Sequence, residues 1–313
     1  MNIYKTASVV VTYNRKDELI KNLREQLDQK FVPDKIFIID NCSTDGTYDF
    51  LESCGLIADE RIAYHKMQDN SGGAGGFSQG VKIAYESGAD WIILMDDDGR
   101  PYNTDCFKAL FDYVVQHGLT PEDRLMLNSL VLCGENEMSF GGSVSEFCSM
   151  GTVRDGLLEN IINPFNGTLL SKALVRQIGY PNAEFFIRAD EVDYQRRAAN
   201  AGALIGTVLE AVYFHPSRSN RIVKSLFGKT FDATLMAPWK EYYWLRNTIY
   251  SILSNTPDKK LAKKMAKKRY LLHVYTALVV KCKKFAMLKM IKKAYKDAKQ
   301  GRLGKTVLPD RKQ

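Results

Sequence analysis

Missing features narrow this sequence before any motif is considered. Proline is scarce, 9 in 313 residues against 22 glycines, which excludes collagen-like and proline-rich low-complexity chains. The six cysteines, at 42, 54, 106, 133, 148 and 282, include no C-x-x-C pair. Neither a zinc knuckle nor a disulfide framework is therefore indicated. No apolar stretch approaches the roughly 20 residues that a membrane-spanning helix needs. The longest, residues 270–280, is short and interrupted by His273. No signal peptide is visible either, since Met1 to Tyr4 leads straight into a strand-like run. These absences create the expectation of a cytoplasmic protein.

What is present begins with charge. The net balance of +8 conceals two opposite halves: residues 221–313 hold 24 Lys and Arg against 5 Asp and Glu, while residues 1–220 hold 20 against 31. A basic tail on an acidic body points to an anionic partner, membrane or nucleic acid, unless it is only a solvated helical face. Within residues 270–299, apolar positions recur at helical spacing among lysines. That pattern suits an amphipathic helix lying on anionic lipid. RNA binding would interleave more stacking aromatics, so the expected partner is the inner face of the cell membrane and not nucleic acid.

The first hundred residues alternate between two periods. Residues 7–12 (ASVVVT) are a short β-branched run bounded by polar residues, the pattern of a buried strand. Residues 16–29 follow, with Leu19, Ile20, Leu23 and Leu27 on one helical face. Further strands are expected at 35–40, 61–66 and 90–95, with helices at 47–54 and 75–87 between them. Such alternation builds right-handed βαβ units and a parallel sheet. Ligands then sit beyond the carboxyl ends of the strands. Thr12-Tyr13-Asn14-Arg15, Asp40-Asn41-Cys42-Ser43, Asp69-Asn70 and Asp96-Asp97-Asp98 each close a strand, so all four clusters face one crevice. Residues 104–220 mix helix and strand, and from about 221 the pattern turns helical and basic.

Asp96-Asp97-Asp98 carries the sharpest chemical signal. Adjacent carboxylates repel, so three together cost stability unless a cation compensates. Asp96 and Asp98, two apart at a strand end, can both reach one hard divalent ion, Mg²⁺ or Mn²⁺, which usually completes its shell with phosphates. A nucleotide diphosphate fits; an Asp-rich turn before Gly99 is the plainer alternative. Gly72-Gly73-Ala74-Gly75-Gly76 reads as a loop ahead of a helix, able to offer backbone N–H groups to a phosphate or sugar. It is no dinucleotide fingerprint, because Ser78 stands where G-x-G-x-x-G needs its last glycine, and there is no Walker A motif. Asp190-Glu191-Val192-Asp193 opens another helix, with Asp190 expected as N-cap and Asp193 as the acid three residues on. Glu191, which that cap does not need, is a candidate general base. His215 is either a structural histidine or a further metal ligand; imidazole beside carboxylates favours Mn²⁺.

V-V-V-T-Y-N-R, I-I-D-N-C-S-T-D-G-T, D-N-S-G-G-A-G-G-F and M-D-D-D resemble the donor half of the family 2 glycosyltransferases. F-F-I-R-A-D-E-V-D-Y-Q-R-R-A, then F-H-P and Y-Y-W-L-R-N, are similar to their acceptor half, in order from about residue 7 to 250. The N-x-G-G-A-G-G-F form is similar to bacterial galactofuranosyltransferases; relatives using rhamnose usually read N-x-G-F-A-x-G. The resemblance implies an α/β GT-A fold, the nucleotide-diphospho-sugar transferase architecture, Rossmann-like with a mostly parallel sheet and here a basic C-terminal helical extension. It also implies that Thr12, Arg15, Asp40, Asn70 and Asp97 contact the UDP part of the donor. Asp96, Asp98 and His215 would hold the metal, and Glu191 would be the catalytic base with Asp190 in the acceptor site. One departure stands out: the galactofuranosyl relatives carry aspartate at the base position and tryptophan two residues earlier, where this chain has Glu191 and Ala189.

The expectation is therefore an inverting, metal-dependent glycosyltransferase that moves galactofuranose from UDP-galactofuranose onto a hydroxyl of a lipid-linked or surface-polysaccharide acceptor. Rhamnosyl or other hexosyl transfer, sugar nucleotidyl transfer, and a non-enzymatic nucleic-acid- or membrane-binding role for the tail are the alternatives. Residues 1–220 are expected to form the catalytic domain, donor half about 1–100 and acceptor half about 101–220, with 221–313 as a membrane-associating helical region.

Overall fold

The computed structural model describes residues 4–217, 221–226, 229–234, 236–279 and 284–308. The chain opens with β1 (Thr6–Thr12), α1 (Lys16–Leu27), β2 (Lys35–Asp40), α2 (Thr47–Ser53) and β3 (Ile62–Lys66). Then come α3 (Gly72–Glu86), β4 (Trp91–Asp96), β5 (Arg100–Pro101), α4 (Cys106–Gln116) and β6 (Leu125–Leu132). Short elements follow: α5 (Val144–Cys148), β7 (Val153–Arg154), β8 (Leu157–Glu159), β9 (Asn166–Ser171) and α6 (Lys172–Ile178). After α7 (Asp190–Asn200) and β10 (Leu204–Phe214) come β11 (Arg221–Leu226) and β12 (Lys229–Thr234), then α8 (Pro238–Asn255), α9 (Lys259–Val279) and α10 (Lys284–Lys299).

The main sheet runs β3-β2-β1-β4-β9-β6-β10-β8-β7, with β5 on β10. β3, β2, β1 and β4 are parallel neighbours, as the alternating periods require. β9 is inserted antiparallel between β4 and β6, and β6 pairs parallel with β10. The central strands are apolar on both faces because helices cover both. Val10, Ile36, Ile38 and Ile93 pack with residues of α1 and α4 on one side. Val9, Val11, Ile39 and Leu94 pack with α3, α6 and α7 on the other. Each such buried side chain stabilises the fold by about 1.5–3 kcal/mol, so the strand ends that carry polar clusters rest on a stiff platform.

Two expectations are corrected here. The glycine run is not a loop: α3 starts at Gly72 and takes all four glycines into its first turns. Packing is the reason. A Cβ at Gly76 would stand 2.4 Å from Val11 Cγ1, and one at Gly80 would stand 2.3 Å from Val9 Cγ1, so glycines let α3 lie directly on β1. Gly72 has φ +73, and a Cβ there would meet the Phe186 carbonyl oxygen at 2.0 Å. The second correction concerns residues from 221 onward, which begin as an antiparallel β11–β12 hairpin before the helices start. The boundary expected between 220 and 221 falls at residues 218–220, outside the described residues.

Helices α8, α9 and α10 share a core of their own, in which Tyr242, Tyr243, Leu245, Ile249, Ile291 and Ala294 pack together. Phe186, from the loop ahead of α7, is part of that same core. Among the described residues no helix is long and apolar enough to cross a membrane. The inward face of α9 buries Ala262, Ala266 and Ala277 together with His273, which bonds Glu241 at 2.7 Å, whereas Leu261, Leu271, Leu272 and Leu278 are exposed.

Two glycines of one helix should respond oppositely to alanine. Gly80→Ala overpacks β1, which costs about 1–3 kcal/mol against a helix-propensity gain of at most about 1 kcal/mol. Gly73 has nothing within 4 Å of its would-be Cβ, so Gly73→Ala should be neutral or stabilising. Urea midpoints of the two variants check this; a midpoint unchanged by Gly80→Ala would contradict the packing account.

Candidate active site

The carboxyl ends of β1, β2 and β4 meet as the sequence pattern demanded. At the end of β4, Asp97 is buried and accepts from Thr12 Oγ1 at 2.8 Å and from the Tyr13 N–H at 3.4 Å. Arg15 Nη1 reaches Asp97 Oδ1 at 3.3 Å and also pairs closely with Asp98. Burial pushes the Asp97 carboxyl up to about 6, against the pull of Arg15 and the Thr12 hydroxyl. Asp96 is raised well above the usual carboxylate range by burial first, then by Asp98 and Asp97. Negative charge is thus compressed at one strand end, with Arg15 as its nearest counter-charge.

His215, at the end of β10, faces the same cluster. Its Nε2 lies 3.6 Å from Asp98 Oδ1, and its Nδ1 lies 2.8 Å from both Ser139 Oγ and the Pro216 carbonyl. Phe140 stacks on the ring at 5.4 Å. Contacts on the Nδ1 side fix the ring and turn Nε2 towards Asp98, the arrangement that orients metal-ligating histidines. Among the described residues no three His, Cys, Asp or Glu groups close around one point as a complete cage. A divalent ion that shares its shell with phosphates needs only one or two carboxylates, so Asp96, Asp98 and His215 suit such an ion chemically. Ser139 escaped sequence reasoning because nothing local marks a serine 76 positions from its histidine.

The remaining residues expected on the nucleotide side are held in place by the fold. Asp40 is fully buried; its Oδ1 accepts the Ser43 N–H at 2.8 Å, and its Oδ2 takes a close bond from the Tyr64 hydroxyl. Asn70 Oδ1 accepts the Gly72 N–H at 2.9 Å, turning the chain into α3. Lys305 Nζ lies 3.3 Å from the Asn70 carbonyl oxygen, so the end of the described chain returns to the donor side. Thr12, Arg15, Asp97, Asp98 and His215 gather at one edge beside Asp96, while Asp40 and Asn70 are engaged by Ser43, Tyr64 and the start of α3.

The acidic pair on α7 comes next. Asp190 was expected to cap this helix, but the N-cap residue is Ala189, with φ 62 and no side-chain bond. Asp193 does not cap either: its oxygens are taken by Asn255 Nδ2 at 2.8 Å and Arg197 Nε at 3.0 Å. Tertiary partners from α8 and the helix itself outcompete the local box. Asp190 is left buried, and burial followed by the charge and hydrogen bond of Glu191 raises it well above the carboxylate range. Glu191 also acts on Asp96, so the candidate base stands within electrostatic reach of the aspartate cluster. Phe186, Arg188 and Ala189 all have positive φ, 65, 67 and 62. Non-glycine residues there cost about 1 kcal/mol or more each and cluster at functional sites.

A family model for Glycosyl transferase family 2 matches residues 8–120. Galactofuranosyltransferase GlfT1 of Mycobacterium tuberculosis is 32% identical over 267 residues, covering 81% of this chain and 84% of that protein. GlfT1 of Mycolicibacterium smegmatis is 30% identical over 260 residues with the same coverage. This chain therefore belongs to the family 2 glycosyltransferases. S. aureus TarS 1–349, solved with UDP-GlcNAc, matches with TM-score 0.61 and 16% identity, over 94% of this chain and 81% of that one. A Pyrobaculum calidifontis mannosyltransferase solved with GDP-Man and Mn²⁺ gives TM-score 0.55 and 13% identity, over 96% and 87%. At these identities the structural likeness speaks for the fold, which is GT-A.

The buried acid yields a signed test. Because the folded state raises Asp190, it binds that proton more tightly than the unfolded chain does. The group's contribution is then fullest below about pH 4, the unfolded carboxylate range, and is lost as pH climbs towards the folded value. Asp190→Asn removes that loss. In metal-free protein the variant's Tm should gain on wild type between about pH 5 and about pH 7.5, and a gap moving the other way would refute the assignment.

Proposed function

We propose that this enzyme is an inverting, metal-dependent galactofuranosyltransferase, using UDP-galactofuranose and a hydroxyl of a lipid-linked or surface-polysaccharide acceptor. The observation that carries the mechanism is the gathering of Asp97, Asp98, Arg15 and His215 at the carboxyl end of β4, with the charge of Glu191 felt at Asp96. The donor sugar is supported by the resemblance to GlfT1 proteins over most of the chain.

Asp96, Asp98 and His215 would hold the ion, Mn²⁺ by preference given the imidazole. Once bound, it would supply Lewis-acid stabilisation of the departing diphosphate. Arg15 adds positive charge on the same side, and Thr12, Asp40, Asn70 and Asp97 shape the nucleotide pocket. Glu191 accepts the proton of the acceptor hydroxyl, and Asp190 beside it lines the acceptor subsite. The hydroxyl oxygen attacks the anomeric carbon opposite the bond to diphosphate; that bond breaks as the new one forms, and the centre inverts.

Residues 1–220 would act as the catalytic domain, with 221–313 docking it on the inner face of the cell membrane. The outward side of α9 supports that reading, since its first half exposes Lys260, Lys264, Lys267 and Lys268 beside Leu261 and its second half exposes Leu271, Leu272 and Leu278. Apolar insertion plus lysine attraction is how interfacial helices bind anionic lipid.

Three experiments test this. With Mn²⁺ and a panel of UDP- and dTDP-sugars, UDP-galactofuranose should be the preferred donor and EDTA should abolish transfer. Glu191→Gln should keep donor affinity by calorimetry while transfer falls by roughly 10²-fold or more; an unchanged rate would place the base elsewhere. Separately, wild type should sediment with anionic but not neutral vesicles. Replacing Lys263, Lys264, Lys267 and Lys268 by glutamine, or raising salt, should release it by removing or screening the attraction. Equal binding to neutral vesicles would overturn the electrostatic account.

A further inference from the structure

The loop that delivers Asp190 and Glu191 has no regular structure to hold its three left-handed residues, Phe186, Arg188 and Ala189. It is held from outside, by two consecutive residues of α8. Asn247, fully buried, directs its amide nitrogen at three carbonyls: Phe185 at 3.0 Å, Ile187 at 3.0 Å and Arg188 at 2.8 Å. Arg246, also fully buried, donates from Nη2 to Glu184 O at 3.3 Å and Phe185 O at 3.1 Å. Its Nη1 reaches the Gly304 carbonyl at 2.7 Å, and its Nε bonds Asn247 Oδ1 at 2.8 Å. Tyr243 lies under the guanidinium at 4.8 Å. The free face of the same loop carries the Phe186 carbonyl, which accepts the Ala74 N–H of α3 at 3.1 Å.

A strained segment persists only where its surroundings over-determine it, and here the side-chain bonds to its carbonyls come from one amide and one guanidinium. We propose that Asn247 is a positioning residue for the transfer reaction, with Arg246 orienting it. Asn247 ties down the carbonyls of Phe185, Ile187 and Arg188, so Ala189 stays left-handed and α7 starts at Asp190. That start sets where Glu191 stands relative to the aspartates of β4. Asn247 is too deeply buried to touch donor or acceptor, so its effect travels through the loop. The inference rests on Glu191 being the base, as proposed above.

The test uses full-length Asn247→Ala, read in two independent ways. Amide hydrogen exchange over residues 184–191 should quicken by at least about tenfold relative to the sheet, because the carbonyl anchors are gone. Transfer should fall by about 10- to 100-fold in kcat, while donor affinity stays within about threefold, since misplacing a base by an ångström costs on that scale. Adding Ala189→Gly, which removes the left-handed penalty at that position, should restore part of kcat. A residue that merely stabilised the fold would lower Tm and leave kcat per folded molecule unchanged, and that result would overturn the proposal. So would unchanged exchange across the loop. If wild type itself transfers no sugar, the functional reading fails, and the exchange measurement still decides whether Asn247 holds the loop.

Discussion

Like charges crowded at the carboxyl end of one strand govern this molecule. Asp96, Asp97 and Asp98 leave β4 in succession, and Asp97 and Asp98 draw on Arg15 while Thr12 binds Asp97. No single partner neutralises three carboxylates, so the edge stays electron-rich and poised for a cation or for the groups a cation would carry. The surrounding architecture keeps that unfavourable arrangement from relaxing. The sheet fixes the strand ends, α3 is pressed onto β1 through glycines, and Ser139 and Phe140 fix His215 against Asp98.

The second acidic group reaches this edge by a different route. Asp190 and Glu191 are carried not by a strand end but by a loop whose conformation is costly and whose anchors come from α8. The basic C-terminal helices are thus more than a surface: their core includes Phe186, and Lys305 touches the Asn70 backbone on the donor side. Within this one structural unit α9 turns leucines and lysines outward while α8 faces inward to the loop ahead of α7.

Much of this was legible in the residues because local and tertiary preferences agreed. Runs such as Val9-Val10-Val11 and Ile36 to Ile39 are buried on both faces of a covered sheet, and no other role suits them. The strand-end clusters followed from the topology rule alone. Where reading failed, long-range contacts had overruled local signals. Gly72 to Gly76 looked like a loop because glycine is a poor helix former, yet α3 takes them in, Gly76 lying too close to Val11 of β1 and Gly72 too close to the Phe186 carbonyl for a Cβ. Asp190 and Asp193 had cap spacing, but Asn255 and Arg197 claimed Asp193. Residues 221–234 read as part of a helical tail, although Ile222, Val223, Thr230 and Thr234 carry the β-branched density of a hairpin. Arg246 and Asn247 stood in a recognisable string, but their carbonyl partners lie some 60 residues away and leave no local trace.

Gly72 marks the seam where the start of α3 meets the loop ahead of α7, backbone against backbone, with room for no side chain. Such a seam limits how this enzyme's specificity can be reassembled. A chimaera that borrows the first half of a relative, to change the sugar, inherits that relative's residue at the seam along with its pocket. Unless the borrowed half brings glycine in the same left-handed turn, the Phe186 carbonyl is displaced, and the loop ahead of α7 shifts although none of its own residues has been exchanged.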